Sequence, residues 1–197
     1  MYKLTHSLLE AWRRATDPDA GEDEFLSFLD AIERKPKPKS KAMQDGIAFE
    51  SEVNRWALSG HTGIEDERER KAVIQFGNRL QGAQLQVRAE KAVEIDRMPF
   101  LLVGVADALK AGIISDIKRP VKYEYGKYFA STQHPMYLEL FPEAVRFDYL
   151  IFDGAYCYRE QYRRGDCQPI HDTIRAFVRY MKDADLMESY KNFWEVK

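Results

Sequence analysis

Cysteine is almost missing from this chain. The 197 residues include only Cys157 and Cys167, too few for a disulfide scaffold or a four-thiolate metal centre. They read as free or buried thiols in a reducing compartment. No stretch approaches the ~18 apolar residues of a membrane span, and the N-terminus, Met1-Tyr-Lys-Leu-Thr-His, lacks the apolar core of a signal peptide. The expectation is a soluble, cytoplasmic protein with no membrane partner. Internal repeats and low-complexity tails are absent too. So is an excess of one charge: 30 basic residues against 32 acidic ones leave a net charge of −2. Any nucleic-acid contact must therefore use a local basic surface and not global attraction.

What remains is an ordinary globular composition, 45% apolar and 31% charged, in a chain of one-domain length with room for a real core. Residues 1–82 are mainly helical. Thr5 or Ser7 can cap a short helix through Arg14, Glu22 to Arg34 carries apolar residues at helical spacing, and longer helices span about Ser40–Leu58 and Asp66–Leu80. Lys35-Pro-Lys-Pro-Lys-Ser-Lys41 interrupts them as an extended basic connector, since two prolines exclude helix. From Gln84 the period becomes two. Gln84–Ile95, Phe100–Leu109 and Ile113–Lys118 read as strands, Thr132–Phe141 as a short helix, and Val145–Phe152 and Ala155–Tyr162 as a hairpin about Asp153-Gly154. A final amphipathic helix opens at Pro169 and runs through Met181, with a continuation toward Trp194 left open. This order gives a mixed α/β fold with a helical N-terminal part and a sheet core over 83–165; 166–197 form a C-terminal helical segment.

Chemistry concentrates on the hairpin carrying Gly104-Val-Ala-Asp107 and Asp116-Ile-Lys118. Alternation puts Asp107 on one strand face, and Asp116 and Lys118 on one face of the next. If Leu109 pairs with Gly112, all three share a face; an odd register would separate them. The bland alternative is a fraying strand end and an exposed ion pair. Two aspartates beside a core are poorly served by one lysine, and a divalent cation answers them better. On the helix of residues 40–58, Met43, Ile47, Val53 and Ala57 mark a stripe read as buried, with Glu50 inside it and Gly46 one turn earlier, where the helix could approach the sheet. Glu50 is either a buried acid paired with a distant base or a third carboxylate aimed at the metal. Gln133 and Tyr137, four apart, share a face of the later helix.

Gly46-x-x-x-Glu50, Gly104-x-x-Asp107, Asp116-x-Lys118 and Gln133-x-x-x-Tyr137 occur in that order. Together they resemble the PD-(D/E)XK nuclease superfamily, in its RecB-like branch with phage-type exonucleases, over residues 40–165. The resemblance implies a restriction-endonuclease-like core, a central mixed sheet of about five strands flanked by helices. It implies a metal-dependent DNA nuclease, an exonuclease before an endonuclease, serving recombination, repair or phage replication. A strand-annealing recombination protein is the partner it suggests. A non-catalytic nucleic-acid-binding or partner-binding module is the alternative from another class. By the resemblance, Asp107, Asp116, Glu50 and the Ile117 carbonyl hold one or two Mg²⁺ or Mn²⁺ ions, hard cations that suit oxygen donors. Lys118 orients the attacking water or steadies charge on the phosphate, while Gln133 and Tyr137 support the site and contact substrate; core-edge hydrogen bonding is the alternative role for that pair. Relatives with an iron–sulfur cluster use four cysteines, so no such cluster is expected. Many relatives also carry a histidine on the first motif helix, where this chain has none, and Pro135 falls inside the Gln133-to-Tyr137 spacing. Arg119, Lys122 and Lys127, interleaved with Tyr123, Tyr125 and Tyr128, suit phosphate neutralisation and base stacking. Arg163-Arg164 reads as a solvated loop tip.

Overall fold

The structure, a computed structural model, describes residues 1–196. The chain runs through β1 (Tyr2–Leu4), α1 (His6–Ala15), α2 (Glu22–Ile32), α3 (Lys41–Ser59), α4 (Glu67–Leu80), β2 (Gln84–Ile95) and β3 (Met98–Lys110). It continues through β4 (Ile113–Lys118), α5 (Gln133–Leu140), β5 (Arg146–Phe152), β6 (Cys157–Tyr162), α6 (Ile170–Asp183) and α7 (Met187–Trp194). The six strands form one mixed sheet flanked by helices.

β3 is the spine of that sheet. β2 pairs antiparallel along its length, from Gln84↔Leu109 to Ile95↔Met98. β1 pairs parallel with Phe100–Leu102, and β4 pairs antiparallel with Ala108–Lys110. A strand has two edges, so β1 and β4 share the one that β2 leaves. Between them, residues 103–107 of β3 face no strand. β5 then runs parallel to β4, and β6 antiparallel to β5.

Both tight hairpins use two central residues of positive φ, Asp96-Arg97 and Ala111-Gly112, as a turn matched to strand twist demands. The expected Asp153-Gly154 turn is longer. Phe152 pairs with Cys157, and Asp153 Oδ1 accepts from the amides of Ala155 and Tyr156 at 2.9 and 2.8 Å, so the last strand begins at Cys157 and not Ala155.

Helices cover both faces. One core unites α1, α2, α5, α6 and α7 with Phe100, Leu102, Phe147, Tyr149 and Ile151. The other packs α3 and α4 on Ala108, Ile117, Leu150 and Phe152. Gly77 of α4 admits Trp56 of α3, since a Cβ there would lie 2.3 Å from Trp56 Cδ1. The N-terminal helices are thus divided between the two faces.

The sheet has six strands where the sequence predicts about five, and the unpredicted one, β1, is three residues long and too short to give a sequence period. The C-terminal segment is two helices: Asp185 takes φ 57° and the Leu186 amide returns to the Met181 carbonyl at 2.8 Å, which turns the chain before α7. Among the described residues, no helix is long and apolar enough to cross a membrane.

Candidate active site

The hairpin pairs Leu109 with Ile114 and Ala108 with Ser115. This shifts the expected register by two residues, and an even shift preserves the faces. Asp107 therefore comes level with Asp116, just where the β3–β4 ladder stops. Asp107 Oδ2 accepts from the Ile117 amide at 2.9 Å, replacing a partner that the parted strands no longer supply. Asp116 is 5% exposed. The Gln133 side-chain amide donates to its Oδ1. Its Oδ2 lies 2.7 Å from Lys118 Nζ yet receives no aligned hydrogen bond, so this oxygen is held by charge alone. Lys118 Nζ also sits 5.8 Å from the Tyr149 ring centroid.

α3 delivers Glu50, and the expected stripe holds only for its second half, where Val53 is buried and Ala57 packs on the core. Phe49 and Val53 are the buried residues of this helix, whereas Met43 is 55% and Ile47 46% exposed. The stripe of Met43 and Ile47 faces away from the core. Nothing lies within 4 Å of a Cβ at Gly46, so that glycine mediates no close approach. Glu50 accepts from Gln86 Nε2 at 2.8 Å. Gln86 interrupts the β2–β3 ladder, which pairs Leu85 with Ala108 and Val87 with Ala106, and takes φ 53°. A side chain in the left-handed region costs about 1–2 kcal/mol, and such strain collects at functional sites.

α5 closes the site from the other side. The Tyr137 hydroxyl donates to the Val105 carbonyl at 2.8 Å and accepts from its amide at 3.3 Å, filling the gap that β1 and β4 leave on β3. Gly104 admits it: a Cβ there would meet Leu140 Cδ1 at 2.8 Å and Tyr137 Cζ at 3.1 Å. Pro135 stands in the first turn of the helix, where no backbone bond is lost. The Thr132 hydroxyl does not cap the helix; it donates to the His6 carbonyl at 3.2 Å.

The electrostatics reflect three acids and one ammonium. Burial, then the charges of Asp116 and Glu50, push the Asp107 carboxyl up to about 8. Burial and Asp116 also raise Glu50, against the Gln86 hydrogen bond and Lys118. For Lys118, burial disfavours the charge, but Asp116 and Asp107 outweigh it and the ammonium is strengthened. Lys118 is therefore a cation here and a poor general base. The excess negative charge, the unaligned Asp116 Oδ2 and an all-oxygen donor set fit a hard divalent cation. Among the described residues, no three His, Cys, Asp or Glu side chains already form a chelating group. Glu50 is engaged by Gln86 and Asp107 by Ile117, whose side chain is anchored in the α3/α4 core.

Glu50, Asp107, Asp116, Ile117, Lys118, Gln133 and Tyr137 are thus drawn together. Arg119 is not: its Nε pairs with Glu69 Oε1 at 2.9 Å and its guanidinium lies over Phe152, on the α4 side. Lys122 is exposed and pairs with Glu124 at 2.6 Å. Tyr123 and Tyr128 stack inward, and of the three loop tyrosines only Tyr125 points out. In the basic connector, Lys35 is taken up by Glu33 and Asp30. Arg163 and Arg164 are exposed, as expected of a loop tip, but the Arg164 guanidinium is tethered there by donating to the carbonyls of Phe141, Pro142 and Ala144. Two residues at the site gave no sequence signal. One is Gln86. The other is His6, whose ring meets Tyr137 edge-on at 5.7 Å; burial and the Lys118 charge lower its pKa to about 4, while Asp116 and Glu10 oppose.

No family model and no curated protein matches the chain. Among solved structures it is similar to one described as the crystal structure of SSO0001, with a TM-score of 0.57 and 12% identity, over 92% of this chain and 76% of that one. At that identity the likeness is one of fold.

Proposed function

We propose that this chain is a metal-dependent deoxyribonuclease of the PD-(D/E)XK superfamily, RecB-like branch, whose mixed sheet serves as a restriction-endonuclease-like core. The observation that carries the reading is that Glu50, Asp107, Asp116 and Lys118, from three separate elements, lie near enough to act on one another's charge, with Gln133 bonded to Asp116 and Tyr137 to the β3 edge. Asp107, Asp116, Glu50 and the Ile117 carbonyl would hold Mg²⁺ or Mn²⁺. An ion held there would polarise the scissile phosphate, lower the pKa of a water and neutralise the leaving oxygen.

The chain's own groups do the rest. Lys118, held cationic by Asp116, stabilises the charge that grows on the attacked phosphate. Gln133 fixes the rotamer of Asp116, and Tyr137 locks the open edge of β3 so that Asp107 stays level with it. Lys122 meets the substrate backbone from outside the site. The preference for exonuclease action comes from the RecB-like motif pattern.

The test incubates the protein with linear duplex, circular duplex, single-stranded DNA and RNA, in Mg²⁺, Mn²⁺ or EDTA. Hydrolysis of linear DNA that needs the ion and disappears in Asp116→Ala and Lys118→Ala is expected. Degradation that survives EDTA or both substitutions sinks the mechanism, and circles cut as fast as linear duplex sink the exonuclease assignment.

A further inference from the structure

The loop of residues 119–132 joins Lys118 directly to Gln133, so its ends are fixed at the acid cluster. Its middle is fixed differently. Glu160 of β6 is 2% exposed. Its Oε1 accepts from the Tyr123 hydroxyl at 2.5 Å and the Gly126 amide at 3.0 Å, and its Oε2 from the Tyr162 hydroxyl. A buried carboxylate held by neutral donors is costly to maintain, and what this one holds is the loop. Tyr123 packs on Tyr158 at 4.6 Å, and Tyr128 on Tyr149 at 4.6 Å. With both neighbours pinned inward, the tip turns Tyr125 outward, 88% exposed. Val121 and Phe129 are exposed on the same loop, and Lys122 and Lys127 flank Tyr125. Lys122 lies on the surface against Glu124 at 2.6 Å and Lys127 donates to the Lys122 carbonyl at 2.9 Å, both exposed bonds that a phosphate can replace.

We propose that this loop is a stacking platform for an unpaired nucleobase at the end of a DNA strand. Tyr125 stacks on the base, Lys122 and Lys127 meet its phosphates, and Glu160 is the positioning residue. A lone aromatic face on a rigid tip can engage only a base whose own face is open, which selects a single-stranded end over the stacked interior of a duplex. Glu124 beside Tyr125 opposes insertion of the tip into a lipid surface. The identity of the ligand rests on the nuclease reading, whereas the shape of the loop does not.

The test is a titration in EDTA with a single-stranded oligonucleotide bearing 2-aminopurine at its terminal position. Wild type quenches the probe. Tyr125→Ala weakens binding about tenfold and loses the quenching, with thermal unfolding unchanged, and Tyr125→Trp restores both. Glu160→Gln weakens binding alone but adds nothing to Tyr125→Ala, which a general loss of folding would not reproduce. Unchanged quenching in Tyr125→Ala, failure of Tyr125→Trp to restore it, or loss of binding to anionic vesicles in place of the oligonucleotide overturns the proposal. If quenching holds but no DNA is hydrolysed with Mg²⁺ or Mn²⁺, the nuclease reading fails and the platform stands. Hydrolysis without quenching removes the platform and leaves the nuclease reading intact.

Discussion

Replacing Gly104 by alanine tests how tightly α5 is seated on β3. The added Cβ would lie 2.8 Å from Leu140 Cδ1 and 3.1 and 3.3 Å from Cζ and Cε2 of Tyr137. Carbon atoms rest at about 3.5–4.0 Å, so both side chains must retreat. Leu140 can rotate its methyl group away. Tyr137 cannot move freely, because its hydroxyl bridges the Val105 carbonyl at 2.8 Å and amide at 3.3 Å, and a retreat of about 0.5 Å takes the longer bond out of range. Overpacking costs about 1–3 kcal/mol and the lost bond about 1, against about 0.5–1 regained by removing a glycine from a strand. A net loss of about 2 kcal/mol follows, read as a lower urea midpoint. In Gly104→Ala/Leu140→Ala the two costs should sum to less than their separate values, since the second change opens space for the first. Activity should fall with stability, because Gln133 sits one turn before Tyr137. A Gly104→Ala variant as stable as wild type would refute the close-approach argument.

Gln86→Gly should separate stability from function. It removes the cost of φ 53° but frees Glu50, so urea stability holds or rises slightly while calorimetric Mn²⁺ affinity falls; an unchanged affinity counts against Glu50 as a ligand. Asp116→Asn and Lys118→Met should each abolish DNA hydrolysis, yet only Asp116→Asn should weaken Mn²⁺ binding, since Lys118 holds charge on the substrate side. Burial lowers two histidines to about 4: His6 beside the site, and His134, which is fully buried and stacked on Tyr162 at 4.1 Å. The unfolded chain binds those protons from about pH 6.5 downward and the folded chain refuses them, so each withdraws roughly 3 kcal/mol as pH falls from 6.5 toward 4. Asp107, raised to about 8, returns stability over the same range. His134→Phe should remove the His134 share alone, so the stability difference between variant and wild type should move by roughly 3 kcal/mol between pH 6.5 and 4, and a difference that does not change with pH contradicts the assignment.

The mixed sheet and its flanking helices were readable because the apolar period changes from helical to alternating at Gln84. Asp107 and Asp116 were readable for a related reason: side-chain parity survives a register shift of two, so pairing Leu109 with Gly112 in place of Ile114 still put them together. The stripe that frames Glu50 is right in its second half, Val53 and Ala57, and wrong in its first. Met43 and Ile47 look like core in a helical wheel, but no element covers that part of α3, and only the fold reveals it. β1, Gln86 and His6 were not readable at all. A three-residue strand has too little pattern, a left-handed glutamine follows from the interrupted ladder around Asp107, and His6 reaches the site only because α1 packs against α5. Arg119 shows the opposite error, a base beside a site residue that alternation sends to Glu69 on the other face.

The proposed chemistry requires Glu50, Asp107 and Asp116 to share a bound cation. Titrating Mn²⁺ into the protein and following its free paramagnetic signal tests this with no substrate present. Wild type should take up one or two ions, with affinity falling at least tenfold in Asp107→Asn and in Asp116→Asn, and less in Glu50→Gln. Equal uptake by wild type and both aspartate variants would show that the acids do not converge on a metal, and the nuclease account would fall with it.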